Sequence, residues 1–187
     1  MRIIGGKFKG LQLASVGKGD KVAHLRPTTD RVRESIFNLL INGGYGDPVS
    51  DARVLDLFSG TGALALEALS RGASHAVLVD DGAAAGRICA RNIALCRAGA
   101  QTELLRRNAT RLGDWQGDPF NLIFLDPPYG RDLGPLALAS ALEGGWIAED
   151  AIILWEEGQE QFPPPRFERL DARRYGDTWV HILRPDG

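Results

Sequence analysis

The feature that most constrains this chain is a short apolar run, Val54 to Phe58, that breaks into Ser59-Gly60-Thr61-Gly62 and re-emerges as an apolar helical segment, Ala63 to Ser70, closed by Gly72. A strand that turns on two glycines into a helix is the opening unit of a parallel α/β sheet. The pattern then repeats. Strands are expected at Ala76–Val79, Thr102–Leu105, Phe120–Leu125, Ala151–Trp155 and Thr178–Leu183, and helices at Ala83–Arg97 and Leu133–Leu142. Apolar strands alternating with helices call for a mostly parallel sheet covered on both faces, and the late strands for an antiparallel edge. Gln161-Phe162-Pro163-Pro164-Pro165 reads as a surface loop.

The first forty residues differ from the rest. They carry eight Lys/Arg against three Asp/Glu, whereas the remainder carries fourteen against twenty-one. A basic docking arm on an acidic body fits that asymmetry. Arg2-Ile3-Ile4 and Phe8–Leu13 are expected to pair as a hairpin across Gly5-Gly6, and Thr28 or Thr29 to cap a helix carrying Val32, Ile36, Leu39 and Leu40. Residues 1–41 are thus read as an extension and 42–187 as the main domain. Arg2, Lys7, Lys9, Arg26, Arg31 and Arg33 are its candidate phosphate contacts. Arg31 and Arg33 stand two apart on the helix and cannot share a face, so one is expected on phosphate and the other in an internal pair.

No apolar run reaches the ~18 residues of a membrane span, and no secretory signal opens the chain, so a cytoplasmic protein is expected. Cys89 and Cys96 lie seven apart on one helix, too distant for a disulfide, and no His or Cys pair stands at zinc spacing, so no metal is expected.

Two constellations fall where an open α/β sheet binds ligands, beyond the carboxyl ends of its strands. The first is a cofactor site: Asp56, Phe58, Ser59, Gly60, Thr61 and Gly62 after the first strand, Asp80 and Asp81 after the second, and Asn108-Ala109 after the third. The glycines admit a ligand close to the backbone, a carboxylate at Asp80 suits ribose hydroxyls, and the Asn108 amide suits an adenine edge. No phosphate-binding Gly-Lys-Ser/Thr is present. An adenosine without a phosphate tail fits this set, and S-adenosylmethionine is one.

The second constellation is Asp126-Pro127-Pro128-Tyr129, directly after Leu122–Leu125. An amino group on a nucleobase is a poor nucleophile, because its lone pair is delocalised into the ring. The Asp126 carboxylate and the Pro127 carbonyl, stiffened by Pro128, are suited to accept its two hydrogens, and Tyr129 to stack on the base. The expected reaction is methyl transfer to an exocyclic amino nitrogen of a flipped or unpaired nucleotide.

With these residues in view the chain resembles the RsmD-type methyltransferases of bacterial small-subunit ribosomal RNA. The resemblance rests on Met1–Lys7, Arg26–Glu34, Phe37-Asn38, Leu55–Leu64, Glu67–Ala73 and Asp126–Tyr129. It implies an α/β, class I S-adenosylmethionine-dependent methyltransferase fold, Rossmann-like, with a seven-stranded sheet and an N-terminal RNA-binding extension. It implies N2 methylation of a guanine in 16S rRNA, with that rRNA in a small-subunit ribonucleoprotein as partner and a monomer as the working state. It places Asp80, where the family usually has Glu, on the ribose; Asn108 stands where the family usually has Asp. Rival readings are an adenine-N6 methyltransferase on DNA or RNA, an RNA-binding module with a degenerate cofactor site, and a small-molecule methyltransferase.

Overall fold

The computed structural model describes residues 1–15 and 28–187. Seven strands form one sheet: β1 (Arg53–Leu57), β2 (His75–Val79), β3 (Thr102–Leu105), β4 (Phe120–Leu125), β5 (Ile147–Glu157), β6 (Phe167–Tyr175) and β7 (Thr178–Pro185). Their order is β3-β2-β1-β4-β5-β7-β6. The first five run parallel, β7 returns antiparallel beside β5, and β6 pairs antiparallel with β7 at the edge. Among the described residues four α-helices accompany the sheet: α1 (Asp30–Asn42), α2 (Ala63–Ser70), α3 (Ala83–Leu95) and α4 (Leu133–Glu143).

The two-residue period of the strands sorts the core into two layers. Val54, Leu78, Leu122, Phe124 and Leu154 point to the face shared with Phe37, Leu64 and Leu66, while Leu55, Leu57, Val77, Ile123 and Leu125 point to the face of Leu138, Trp146 and Trp155. Strands buried on both faces are continuously apolar, which is why they were legible. Asp56 breaks that run and faces the α2 layer, where its Oδ2 accepts the Ala65 N–H at 3.2 Å. That bond satisfies one of the orphan donors of the first turn of α2.

Strand β6 is the element that the sequence pattern does not announce. Phe-Glu-Arg-Leu-Asp-Ala-Arg-Arg-Tyr carries charges on both faces, as suits an edge strand that must resist pairing with other chains. Cross-strand partners Glu168 and Arg184 meet at 2.7 Å, and a register shift falls between Arg169 and Asp171.

The N-terminal segment pairs as expected but turns differently. Ile3 N–H reaches Leu11 O at 3.0 Å and Leu13 N–H reaches Met1 O at 3.0 Å. Gly5-Gly6 is not a two-residue turn, however. A single 3-10 turn, Gly6–Phe8, occupies the loop, because the backbone donors here are spent on α2. Glu67 accepts the N–H groups of Ile4 and Gly5, each at 2.9 Å, and the Ser70 hydroxyl accepts that of Phe8 at 2.9 Å. Gly6 has φ +75°, and a β-carbon there would sit 1.8 Å from the Ser70 carbonyl. Farther along, Asn92 of α3 accepts Ala14 N–H at 2.6 Å and donates to Ala14 O at 3.0 Å. Ile3 and Leu13 are buried in the same core layer as Phe37 and Leu64. Helix α1 begins where expected: the Thr29 hydroxyl accepts Val32 N–H at 3.2 Å.

Candidate active site

Strand β1 has β2 on one side and β4 on the other, so the chain leaves β1 in one direction and returns beside it from the other. Such a reversal opens a crevice at the strand ends. A cavity of about 750 Å³ lies there, within the range of small-molecule sites. The turn after β1 forms its floor. Phe58 adopts φ +60°, uncommon for a residue with a side chain, and Gly60 and Gly62 adopt +54° and +79°. At Gly62 a β-carbon would come within 2.9 Å of the Cys89 sulfur, so this position needs glycine both for its dihedral and for the packing of α3. Burial pushes the Cys89 thiol up to about 12, so it behaves as an inert packing group. Cys96 is likewise buried and free.

Asp80, at the end of β2, holds two loops at once. Its Oδ2 accepts the Gly60 N–H at 2.9 Å and its Oδ1 accepts the Gly82 N–H at 2.8 Å. Asp56, Asp80, Asp81 and Asp126 line the cavity together with Arg87 and Arg131. Asp56 is buried, and burial raises its carboxyl well above the usual range, with the charges of Asp126 and Asp80 adding to the effect.

Asp126 follows β4, with its N–H directed at Leu57 O across the switch point at 3.4 Å. It lines the cavity with Pro127, Pro128 and Tyr129. Its carboxyl is also held well above the usual range, by burial and then by Glu156 and Glu157. Strand register explains the neighbours: Leu125 lies opposite Trp155, so the residues that follow each strand end side by side. Glu156 is fully buried and pushed up to about 7, chiefly by burial, even though the Thr28 hydroxyl donates to it at 3.2 Å. Tyr129 is positioned from two sides. Its hydroxyl lies 3.3 Å from Thr178 Oγ1, and its ring packs on Gly158, where a β-carbon would be 2.9 Å from Cδ2.

Comparison with known proteins matches this arrangement along the whole chain. A family described as Conserved hypothetical protein 95 matches residues 1–184. Ribosomal RNA small subunit methyltransferase D of Escherichia coli K12 is 38% identical over 164 residues, which cover 88% of this chain and 78% of that protein. This chain belongs to the RsmD family. The solved structure of yhhF from Escherichia coli is 30% identical and superimposes with a TM-score of 0.80, covering 100% of this chain and 98% of the other. A ribosomal protein L11 methylase from Lactobacillus delbrueckii subsp. bulgaricus, 18% identical, shares the fold with a TM-score of 0.64 over 86% of this chain and 81% of its own. The RsmD-family chain therefore has the class I methyltransferase fold, with its antiparallel edge.

Most expected site residues converge in this RsmD-family cavity, and some do not. Phe58, Ser59, Gly60 and Thr61 line it; Gly62 supports it from behind. Asn108 and Ala109 are absent from its wall. The Asn108 carbonyl accepts from its own neighbour Thr110, at 2.9 Å from the backbone and 2.8 Å from the hydroxyl, and Ala109 is packed in the core. Asn in a turn bonds its own backbone two residues on, which competes with any outward role.

Of the six basic candidates, Arg2, Lys9 and Arg31 line one surface cleft together with Asp30 and Glu34. Lys7 lies elsewhere, donating to Gln101 at 3.2 Å, and Arg26 falls outside the described residues. Arg33 requires correction: it is fully buried and cannot meet a phosphate. It pairs with Glu67 and with Asp30, and also donates to the Arg2 carbonyl and, from Nη1, to the Thr28 carbonyl. Wall residues that the sequence reading did not single out include Met1 and Thr28, Leu64 and Ala83–Ala85 of the flanking helices, and the basic residues Arg87 and Arg131. Met1 and Thr28 are remote in sequence from the glycine turn; the clamping of residues 1–15 onto α2 and α3 brings in Met1, and Thr28 is held by Glu156 of β5 and by Arg33 of α1.

Proposed function

We propose that this protein methylates the exocyclic N2 amino group of a guanine in 16S ribosomal RNA, using S-adenosylmethionine. The observation that carries the reading is that Asp126-Pro127-Pro128-Tyr129 and the turn at Gly60 open into one cavity at the switch point of a methyltransferase sheet. The relatives named for rRNA small-subunit methylation support the RNA substrate.

The cavity fits the cofactor. Backbone free of side chains at Gly60 and the carboxylates Asp80 and Asp81 on the same wall, placed to meet ribose hydroxyls, are features it needs. S-adenosylmethionine carries its methyl group on a sulfonium and so brings its own leaving group. The protein contributes position and electrostatics. Asp126 and the Pro127 carbonyl accept hydrogen bonds from the two amino hydrogens and turn the nitrogen lone pair outward. On methyl transfer, which leaves the sulfonium a neutral thioether, the one proton that the nitrogen loses passes to the Asp126 carboxylate and on to water, while Tyr129 holds the base by stacking. A carboxyl raised by burial and by Glu156 becomes a better acceptor once a positive charge enters the same cavity.

Residues 1–41 serve in this reading as the RNA-docking element on a catalytic domain of 42–187, with Arg2, Lys9 and Arg31 as the phosphate contacts that the fold groups together. The test is transfer of tritiated methyl groups from the cofactor into 16S rRNA and into small-subunit particles, followed by digestion to nucleosides. Label in N2-methylguanosine is expected. Label in N6-methyladenosine, or in no nucleoside, would overturn the assignment.

A further inference from the structure

Beyond the cavity, the loop between β5 and β6 carries an aromatic side chain in an unusual setting. Phe162 is 77% exposed, the most exposed of the large hydrophobic residues among those described. Exposed single hydrophobics are ordinary; the way this one is held is not. The Arg169 guanidinium lies over its ring at 5.5 Å from the centroid. Arg169 is itself fixed, donating to Glu160 Oε1 at 2.9 Å and to the Gln161 carbonyl at 3.0 Å. The loop backbone is pinned next door, where Gln161 N–H donates to Nε2 of buried His181 at 2.9 Å. Because that nitrogen accepts, the ring proton sits on Nδ1 and faces the Trp155 carbonyl at 3.2 Å. Pro163, Pro164 and Pro165 stiffen the far side.

The loop also starts at the candidate active site. Gly158, its first residue, packs on the ring of Tyr129. Four residues separate Gly158 from Phe162, and an extended chain of that length spans at most ~14 Å. Phe162 therefore stands within a few nucleotides of whatever base Tyr129 holds.

We propose that Phe162, backed by Arg169, is a stacking platform for an unpaired base flanking the target nucleotide in the RNA substrate. A rigid aromatic with one face on a guanidinium and the rest open to solvent offers what single-stranded nucleic acid uses, a π-face for a base; the Arg169 charge is paired with Glu160, so its part is to hold the ring. Prior ordering of the loop lowers the entropy lost on binding. The proposal rests on the RNA methyltransferase reading above and adds a second base site to it.

The experiment compares Phe162→Ala, Phe162→Leu, Phe162→Tyr and, as a control at the opposite edge of the sheet, Leu95→Ala, a residue 43% exposed. RNA affinity is read by titration of a fluorescent single-stranded segment of 16S rRNA, and KM and kcat by methyl transfer. Phe162→Ala should weaken RNA binding and raise the RNA KM by roughly tenfold, with unchanged cofactor affinity and unchanged melting temperature. Phe162→Leu should be nearly as weak, since it keeps apolar bulk without a π-face. Phe162→Tyr should restore wild-type affinity, and Leu95→Ala should leave it intact. Equal RNA affinity in wild type and Phe162→Ala, or full rescue by leucine, would sink the platform while leaving the methyltransferase reading untouched. Wild type that neither binds nor methylates rRNA would defeat both.

Discussion

Arg33 of α1 and Glu67 of α2 form an ion pair in which neither side chain is exposed, with Arg33 Nε 3.4 Å from Glu67 Oε2. The same carboxylate accepts from Arg71 Nε at 2.9 Å and from the backbone of Ile4 and Gly5. One buried acid thus ties together two helices and the N-terminal segment. Glu67 keeps Arg71 and Arg33 keeps Asp30 when the pair is broken from one side, so the cost reaches at most about 3–5 kcal/mol, that of an uncompensated buried charge. Arg33→Ala and Glu67→Ala should both lower stability within that bound in urea unfolding. Removing residues 1–15 takes away Ile3, Leu13 and two donors to Glu67, so it should also destabilise the body. Exposed Arg31 should behave oppositely. Arg31→Ala should keep wild-type stability and lower the salt slope of RNA binding by about 1. An Arg33→Ala protein of normal stability would contradict the clamp.

Asp80 is expected to matter twice. Its two oxygens fasten Gly60 and Gly82, and in the proposed complex they also meet the ribose. Hydrogen bonds to a charged group are worth about 1.5–3 kcal/mol, so Asp80→Ala should weaken S-adenosylmethionine binding by tenfold to more than a hundredfold in calorimetric titration. Asp80→Asn, which keeps an acceptor, should fall between. Unchanged affinity in a folded Asp80→Ala protein would move the ribose contact to Asp81.

What the sequence displayed follows from what repeats in it. Strands β1 to β5 and helices α2 to α4 were legible because burial on both faces leaves an apolar pattern, and the Gly60–Gly62 turn because a left-handed backbone selects glycine. Strand β6 was hidden because an edge strand is written in charges. Spacing on α1 shows that Arg31 and Arg33 face apart and that one of them pairs internally, but not that it is Arg33, nor that its partner is Glu67, 34 positions away. Thr28 and Met1 joined the cavity, and Asn108 left it, through tertiary packing and a local turn that no spacing encodes. The Asp126–Tyr129 motif was visible as four letters, while its electrostatic setting, made by Glu156 and Glu157 on a neighbouring strand, was not.

Asp126 and Tyr129 should separate chemistry from binding. Asp126→Ala should remove most turnover and leave cofactor affinity close to wild type, because its acceptor role develops in the transition state. Tyr129→Ala should lose stacking worth about 1–3 kcal/mol per base, seen as a higher RNA KM. Tyr129→Phe gives up the hydroxyl contact with Thr178 and should cost under about 1.5 kcal/mol. Near-normal single-turnover rates in Asp126→Ala would remove Asp126 from the reaction.

Glu156 gives the fold a pH dependence of defined sign. Its carboxyl is pushed up to about 7 in the folded protein, against 4.5 as the ordinary value. Between those values the folded state binds more protons than the unfolded chain, so stability falls as pH rises through this window. Above it the folded protein carries a buried charge whose penalty is on the order of 3 kcal/mol, from 1.36 kcal/mol per pKa unit. Glu156→Gln keeps an acceptor for the Thr28 hydroxyl and removes the charge. It should therefore melt several degrees above wild type at pH 8 and close to it at pH 5, where Glu156 is already protonated. His181 contributes in the other direction: burial lowers its pKa, so its share of stability is complete above about pH 6.5 and is lost as pH falls. Glu156→Gln should leave that acid limb in place while flattening the alkaline one. Melting curves across pH 5 to 8.5, without cofactor, read both limbs, and equal melting temperatures for wild type and Glu156→Gln at pH 8 would show that Glu156 is not charged in the fold.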